Sequence, residues 1–134
     1  MHPLILELTT RDLATCWLFY SAIGMKWNPP MESPPPSVQD EPDDLYGWIV
    51  PDLMGILHGT EMFFYYDANA SQTGEGPLFQ IEYETEEQLT EAVDKLEKGG
   101  VLVLEPNPED SVCGTVRDPD GRRFRLCPPG IYIP

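Results

Sequence analysis

Basic residues are scarce in this chain of 134 residues: 8 Lys and Arg stand against 23 Asp and Glu, a formal charge of −15. Such a surface repels phosphate backbones and anionic lipid heads, which argues against nucleic acid and membrane as partners, while a cationic ligand gains from it. The same acidity also serves solubility or a salty cytoplasm. No apolar run approaches the ~20 residues that span a bilayer, and the N-terminus lacks a basic-then-apolar leader, so a soluble cytoplasmic protein is expected. Cysteine is limited to Cys16, Cys113 and Cys127, an odd set without framework spacing, which points to a reducing compartment and no disulfide. Histidine is limited to His2, near the terminus, and His58, in an Ile-Leu-His-Gly-Thr stretch that reads as a hairpin turn.

What is present is a pattern of elements on the scale of one domain. From Thr85 the chain reads Thr-Glu-Glu-Gln, a capping box, then Leu89, Ala92, Val93 and Leu96 at helical spacing, with Gly99-Gly100 as the stop. Glu91 with Lys95, and Asp94 with Lys98, stand at i,i+4 on its exposed face. Asp12 caps an earlier helix carrying Leu13, Cys16, Trp17 and Tyr20, ended by Gly24. The two caps lie 73 residues apart, an offset that aligns strand Leu4 to Thr9 with strand Pro77 to Glu82. Extended segments follow each helix: Met25 to Asn28, Tyr46 to Val50, Met54 to Leu57 and Met62 to Tyr66, then Val101 to Glu105, Gly114 to Arg117 and Arg123 to Cys127. The spacing predicts a βαβββ module over 1–66, a linker over 67–76, rich in Ala, Ser, Asn and Gly, and a second βαβββ module over 77–134. Residues 29–44, with six prolines, five acidic residues and no basic residue, read as a stiff acidic surface loop.

Two segments carry a family likeness. Leu6-Glu7-Leu8-Thr9-Thr10-Arg11-Asp12-Leu13 runs into Trp17-Leu18-Phe19-Tyr20, and Asp118-Pro119-Asp120-Gly121 runs into Arg122-Arg123-Phe124-Arg125-Leu126. The chain resembles the vicinal oxygen chelate superfamily of glyoxalases, bleomycin-resistance proteins and extradiol dioxygenases, and is most similar to its metal-free bleomycin-resistance-like branch, notably in Thr10-Arg11-Asp12 and Arg117-Asp118-Pro119. The resemblance implies an α+β fold in which two βαβββ modules form curved mixed sheets around a concave cleft. It also implies metal ligands at positions that are here Ile5, Leu78 and Arg125. A hydrocarbon ligates no divalent cation and a guanidinium repels one, so no metal and no other cofactor is expected there.

Strand alternation sends Leu4, Leu6 and Leu8, then Phe79, Ile81 and Tyr83, then Phe124 and Leu126 into the core. It leaves Ile5, Glu7, Thr9, Leu78, Gln80, Glu82, Arg123, Arg125 and Cys127 on the opposite face. Glu7 and Glu82 could act as an acid/base pair there, or be neutralised by Arg123 or Arg125. Cys113 and Cys127 have no recognisable basic partner that would generate a thiolate. Among the aromatic residues Trp27, Trp48, Phe63, Phe64, Tyr65 and Tyr66, alternation requires that some of the last four face the cleft without saying which parity does; Trp48 is the preferred stacking residue. The expected ligand-binding set is Glu7, Trp48, Leu78, Gln80, Glu82 and Arg125, with no catalytic residue assigned.

Three readings follow. The first is a metal-free protein that sequesters a planar, cationic organic molecule in clefts at a homodimer interface, as the resemblance to antibiotic-resistance proteins implies. The second is an enzyme of the same superfamily, a lyase, isomerase or dioxygenase, with a rebuilt metal site or with Glu7 or Glu82 as base and Arg125 holding an anionic substrate. The third is a structural or regulatory module.

Overall fold

Asp12 sets the geometry of the first unit. In the computed structural model, which describes residues 4–36, 50–70, 78–100 and 114–130, its Oδ1 accepts a 3.0 Å hydrogen bond from the Ala14 N–H and so satisfies one of the orphan donors of a helix start. The chain divides into two compact units, Met1–Ser71 and Gln72–Pro134. The first contains β1 (Ile5–Thr10), α1 (Leu13–Ile23), β2 (Lys26–Trp27), β3 (Leu53–Leu57) and β4 (Thr60–Tyr66). The sheet order is β1-β4-β3-β2, with β1 parallel to β4 and the other pairs antiparallel. This is the predicted βαβββ module. At the end of α1, Gly24 adopts φ 117°, its N–H bonds the Ser21 carbonyl and the Met25 N–H bonds that of Tyr20, a Schellman closure of the last turn.

Leu13, Cys16 and Tyr20 are buried as the helical spacing predicts, together with Ala14, Phe19 and Ile23. Trp17, predicted for the same face, is only half-buried, because the sheet side of this uncharged helix is broad enough to take Phe19 and Ile23 instead. Tyr20 meets Phe64 at a ring-centroid distance of 4.7 Å, and Trp27 reaches the same ring at 6.1 Å. That contact settles the parity of the aromatic strand: Met62 and Phe64 turn to the helix, and Phe63 and Tyr65 to the other face.

The second unit contains β5 (Leu78–Glu82), α2 (Glu86–Lys98), β6 (Gly114–Arg117) and β7 (Arg123–Cys127). Its sheet runs β5-β7-β6, β5 parallel to β7 and β6 antiparallel to it. The strands expected over 46–50 and 101–105 lie outside the described residues apart from Val50, as do residues 37–44 of the acidic loop and 71–76 of the linker. In α2, Thr85 Oγ1 accepts from the Gln88 N–H at 3.1 Å, and the Gln88 side chain reaches back to the N–H of Glu84. Glu86 and Glu87 in its first turn and Lys95 and Lys98 in its last complement the helix dipole, and Lys95 pairs with Glu91 at 3.1 Å. Ala92 and Leu96 form the buried stripe.

The segment joining β6 to β7 is fixed by a buried ion pair. Asp118 Oδ1 accepts from the N–H groups of Asp120 and Arg122, and its Oδ2 accepts from Arg122 Nη1 at 3.0 Å. Arg122 therefore belongs to the turn and is consumed by it. Phe79 and Phe124 stack at 5.1 Å in the core, and Ile81, Tyr83 and Leu126 are buried as alternation predicts. Cys127, which alternation assigns to the open face, is buried too. The chain beyond it folds back so that the Gly130 N–H bonds Glu82 Oε1, on the neighbouring strand, at 3.0 Å.

Candidate functional site

Each sheet leaves one face unburied by its own core, and the described members of the predicted set, Glu7, Leu78, Gln80, Glu82 and Arg125, stand at register positions on those faces. In the first unit the register sets Glu7 opposite Phe63, with Met54 next across the sheet, and sets Ile5 level with Glu61, Ile56 and Lys26. Ile5 is 42% and Ile56 46% exposed. The hydroxyl of Tyr65, which pairs with Thr9 one level along, donates a 2.9 Å hydrogen bond to Glu7 Oε1. Long side chains reach such diagonal partners on one face. Oε2 of Glu7 takes no hydrogen bond from the described residues. The Tyr65 hydroxyl is pushed above the ordinary tyrosine range, first by burial, then by its bond to Glu7 and the charge there. The result is a carboxylate held beside one ring by the hydroxyl of another.

In the second unit the register forms three rows on the open face: Leu78 with Arg123 and Arg117, Gln80 with Arg125 and Thr115, and Glu82 with Cys127. The structure thus brings Leu78, Gln80, Glu82 and Arg125 onto one face, while Glu7 belongs to the other unit's sheet. Trp48 lies outside the described residues. The neutralisation expected for the two carboxylates takes another form: Glu82 bonds the Gly130 N–H and Glu7 the Tyr65 hydroxyl, and neither pairs with an arginine among the described residues.

Phe63, Tyr65 and Thr115 were missing from the predicted set. Their signal was present in the Phe-Phe-Tyr-Tyr run, but its parity depends on which ring α1 covers, and that is a tertiary contact. His58 sits at the hairpin between β3 and β4 as predicted, with φ 48° followed by Gly59 at 85°, the positive pair that a tight two-residue hairpin turn requires. His2 and Cys113 lie outside the described residues, and Cys16 and Cys127 are buried and in no disulfide.

Among the described residues no group of three or more His, Cys, Asp or Glu could hold a metal ion. At the positions where the family resemblance places metal ligands, Ile5 and Leu78 offer hydrocarbon and Arg125 a fixed positive charge. This donor set does not fit a divalent metal. No helix of the described residues is long and apolar enough to cross a membrane.

No family model and no curated protein matches the chain. Solved structures do. A possible glyoxalase from Bacillus cereus is similar at TM-score 0.60 and 16% identity over 95% of this chain and 98% of that one. A glyoxalase/bleomycin resistance protein/dioxygenase from Alicyclobacillus acidocaldarius is similar at TM-score 0.58 and 13% identity over 95% and 90%. A lactoylglutathione lyase from Agrobacterium tumefaciens is similar at TM-score 0.55 and 14% identity over 98% and 96%. With two helices and two small mixed sheets among its described residues, in the order given, the chain has the α+β fold of the glyoxalase/bleomycin resistance protein/dioxygenase structures, in line with its resemblance to the vicinal oxygen chelate superfamily.

Proposed function

We propose that this is a metal-free small-molecule-binding protein of the bleomycin-resistance type, which sequesters a flat, positively charged organic compound on the open face of the first unit's sheet. The observation that carries the reading is the Tyr65 to Glu7 hydrogen bond of 2.9 Å. It holds one carboxylate oxygen and leaves the other for a cation, beside the half-buried ring of Phe63. A ring face attracts a cation by about 0.5–1 kcal/mol at exposed sites and about 2 when water is excluded. Trp48 is retained as a second stacking residue. The net charge of −15 raises the local concentration of such a ligand and speeds its capture.

The protein acts as a homodimer in this reading, because Ile5 and Ile56 leave apolar surface exposed beside the site. It works in the reducing cytoplasm, where Cys16 and Cys127 stay thiols. The enzymatic alternative has less support, since Glu82, one of its two candidate bases, is committed to the Gly130 N–H.

Titration by intrinsic tryptophan fluorescence against a panel of cationic and anionic aromatic compounds tests the proposal. The cationic members should bind more tightly, and Glu7→Gln, Phe63→Ala and Trp48→Ala should each weaken them about five- to tenfold, which corresponds to about 1–1.4 kcal/mol. Failure of the cationic members to bind, or cation affinity unchanged in Glu7→Gln, would refute it. Light scattering at micromolar concentration tests the dimer.

A further inference from the structure

We propose a second binding site, for a small-molecule oxyanion, on the open face of the second unit's sheet. Arg125 is its centre. The register places Gln80 of β5 and Thr115 of β6 on either side of Arg125 of β7, so that a guanidinium, an amide and a hydroxyl form one row. All three offer N–H or O–H donors. Arg125 is half-buried, yet it makes no hydrogen bond or ion pair with any described residue.

That situation is unusual in a chain with 23 carboxylates and 8 basic side chains. A partly desolvated charge is costly unless paired, and the neighbours in the row are neutral. Glu82, on the same face, is bonded to the Gly130 N–H and forms no ion pair with Arg125. Arg123 and Arg117, directly opposite each other in the next row, add positive charge to the face, and Arg117 donates to the Gly121 carbonyl at 3.0 Å. An anion lying across Arg125 would supply the charge that its row lacks. The planar fork of a guanidinium matches the two oxygens of a carboxylate, or two oxygens of a phosphate, by parallel N–H···O bonds. The acidic remainder of the protein does not prevent this, because exposed charges more than about 8 Å away are largely screened at physiological salt.

The site stands without the cation proposal, since it uses none of Glu7, Phe63 or Tyr65. Its test is calorimetric titration of the full chain with benzoate and, separately, with methyl phosphate. One equivalent of at least one anion should bind per chain, and the stronger of the two identifies the oxyanion as carboxylate or phosphate. Arg125→Gln should weaken that anion at least about tenfold, as expected for loss of a charge-assisted pair. Arg125→Lys should restore part of the loss, and Thr115→Val should weaken binding by a smaller factor; circular dichroism of each variant checks that the sheet is retained. Glu7→Gln should leave anion affinity unchanged while reducing cation affinity, so that failure of either site is seen separately. Absence of binding by both anions at about 50 mM, weaker than the millimolar range of the poorest specific ligands, would overturn the proposal. So would full affinity in Arg125→Gln.

Discussion

His58 Nε2 donates a 3.2 Å hydrogen bond to the carbonyl of Ile23, so the tip of the β3–β4 hairpin is tied to the last turn of α1. Gly24 makes the approach possible: a Cβ there would stand 3.1 Å from Nε2, and its φ of 117° suits no residue with a side chain. His58→Ala should cost about 1 kcal/mol, the net worth of one hydrogen bond. Gly24→Ala should cost about 1–3 kcal/mol through backbone strain. Urea unfolding of both variants measures the difference.

Tyr65 should ionise above the usual tyrosine range, and Glu7→Gln should lower its midpoint without returning it fully, because burial, the largest single cause, remains after the bond and charge of Glu7 are removed. A pH titration followed by NMR of the tyrosine ring reads this directly. A midpoint unmoved by the substitution would break the link between the two side chains.

Tyr83 is buried, and burial pushes its hydroxyl far above the ordinary tyrosine range. In the unfolded chain it releases its proton near the ordinary tyrosine value of about 10, while the folded protein still holds it. The unfolded state then binds fewer protons, so stability is full below about pH 10 and falls as pH rises beyond it. Thermal melts between pH 8 and 11 should show the decline, and Tyr83→Phe should flatten it.

Asp118→Ala should destabilise the protein by about 3 kcal/mol, because it removes the nearer of the two buried carboxylates beside Arg122, leaving only Asp120 at 3.6 Å, and takes away the acceptor of the Asp120 and Arg122 N–H groups. The loss is a large part of the about 5–15 kcal/mol that holds a typical domain. Denaturant unfolding of the variant provides the check, and a shift under about 1 kcal/mol would mean that the turn is held by its backbone bonds instead.

Gly55 faces the core from β3, where an added Cβ would lie 2.6 Å from Met25 Sδ and 3.0 Å from the Lys26 carbonyl oxygen. The sulfur can move and the carbonyl of a paired strand cannot. Gly55→Ala should therefore cost about 1–3 kcal/mol by overpacking, as read from the melting temperature.

The local rules wrote the helices clearly into the sequence. Asp12 and Thr85 cap where polar side chains must take up orphan N–H groups, and Gly24 and Gly99-Gly100 stop where the chain must turn away. Strand faces were legible where apolar and polar residues alternate within a paired strand, as in Ile5 to Thr9 and Leu78 to Glu82, but not for Leu4, expected in the core and 67% exposed just before β1 begins. They were illegible in Met-Phe-Phe-Tyr-Tyr, where both faces are apolar and only the Tyr20 to Phe64 contact decides. The site was half legible for the same reason: Glu7 and Arg125 followed from alternation, but their companions Tyr65 and Thr115 depend on register between strands distant in sequence. Burial of Cys127 had no local signal, since alternation assigns it to the open face.

The parallel pairing of β1 with β4 has a consequence for how the protein is made. Ile5 finds its partner only when Glu61 has been synthesised, and Leu78 only when Arg123 has. At ribosomal speeds of about 5–20 residues per second, the first strand of the nascent chain waits on the order of 3–12 s with its leucines uncovered and its edge unpaired. A bare apolar strand invites pairing with other chains, and an intervening charge discourages it. Glu7, central in that strand, thus guards the unfinished protein before it meets Tyr65, and a substitution that weakens ligand capture should also lower the yield of chain that reaches the folded state.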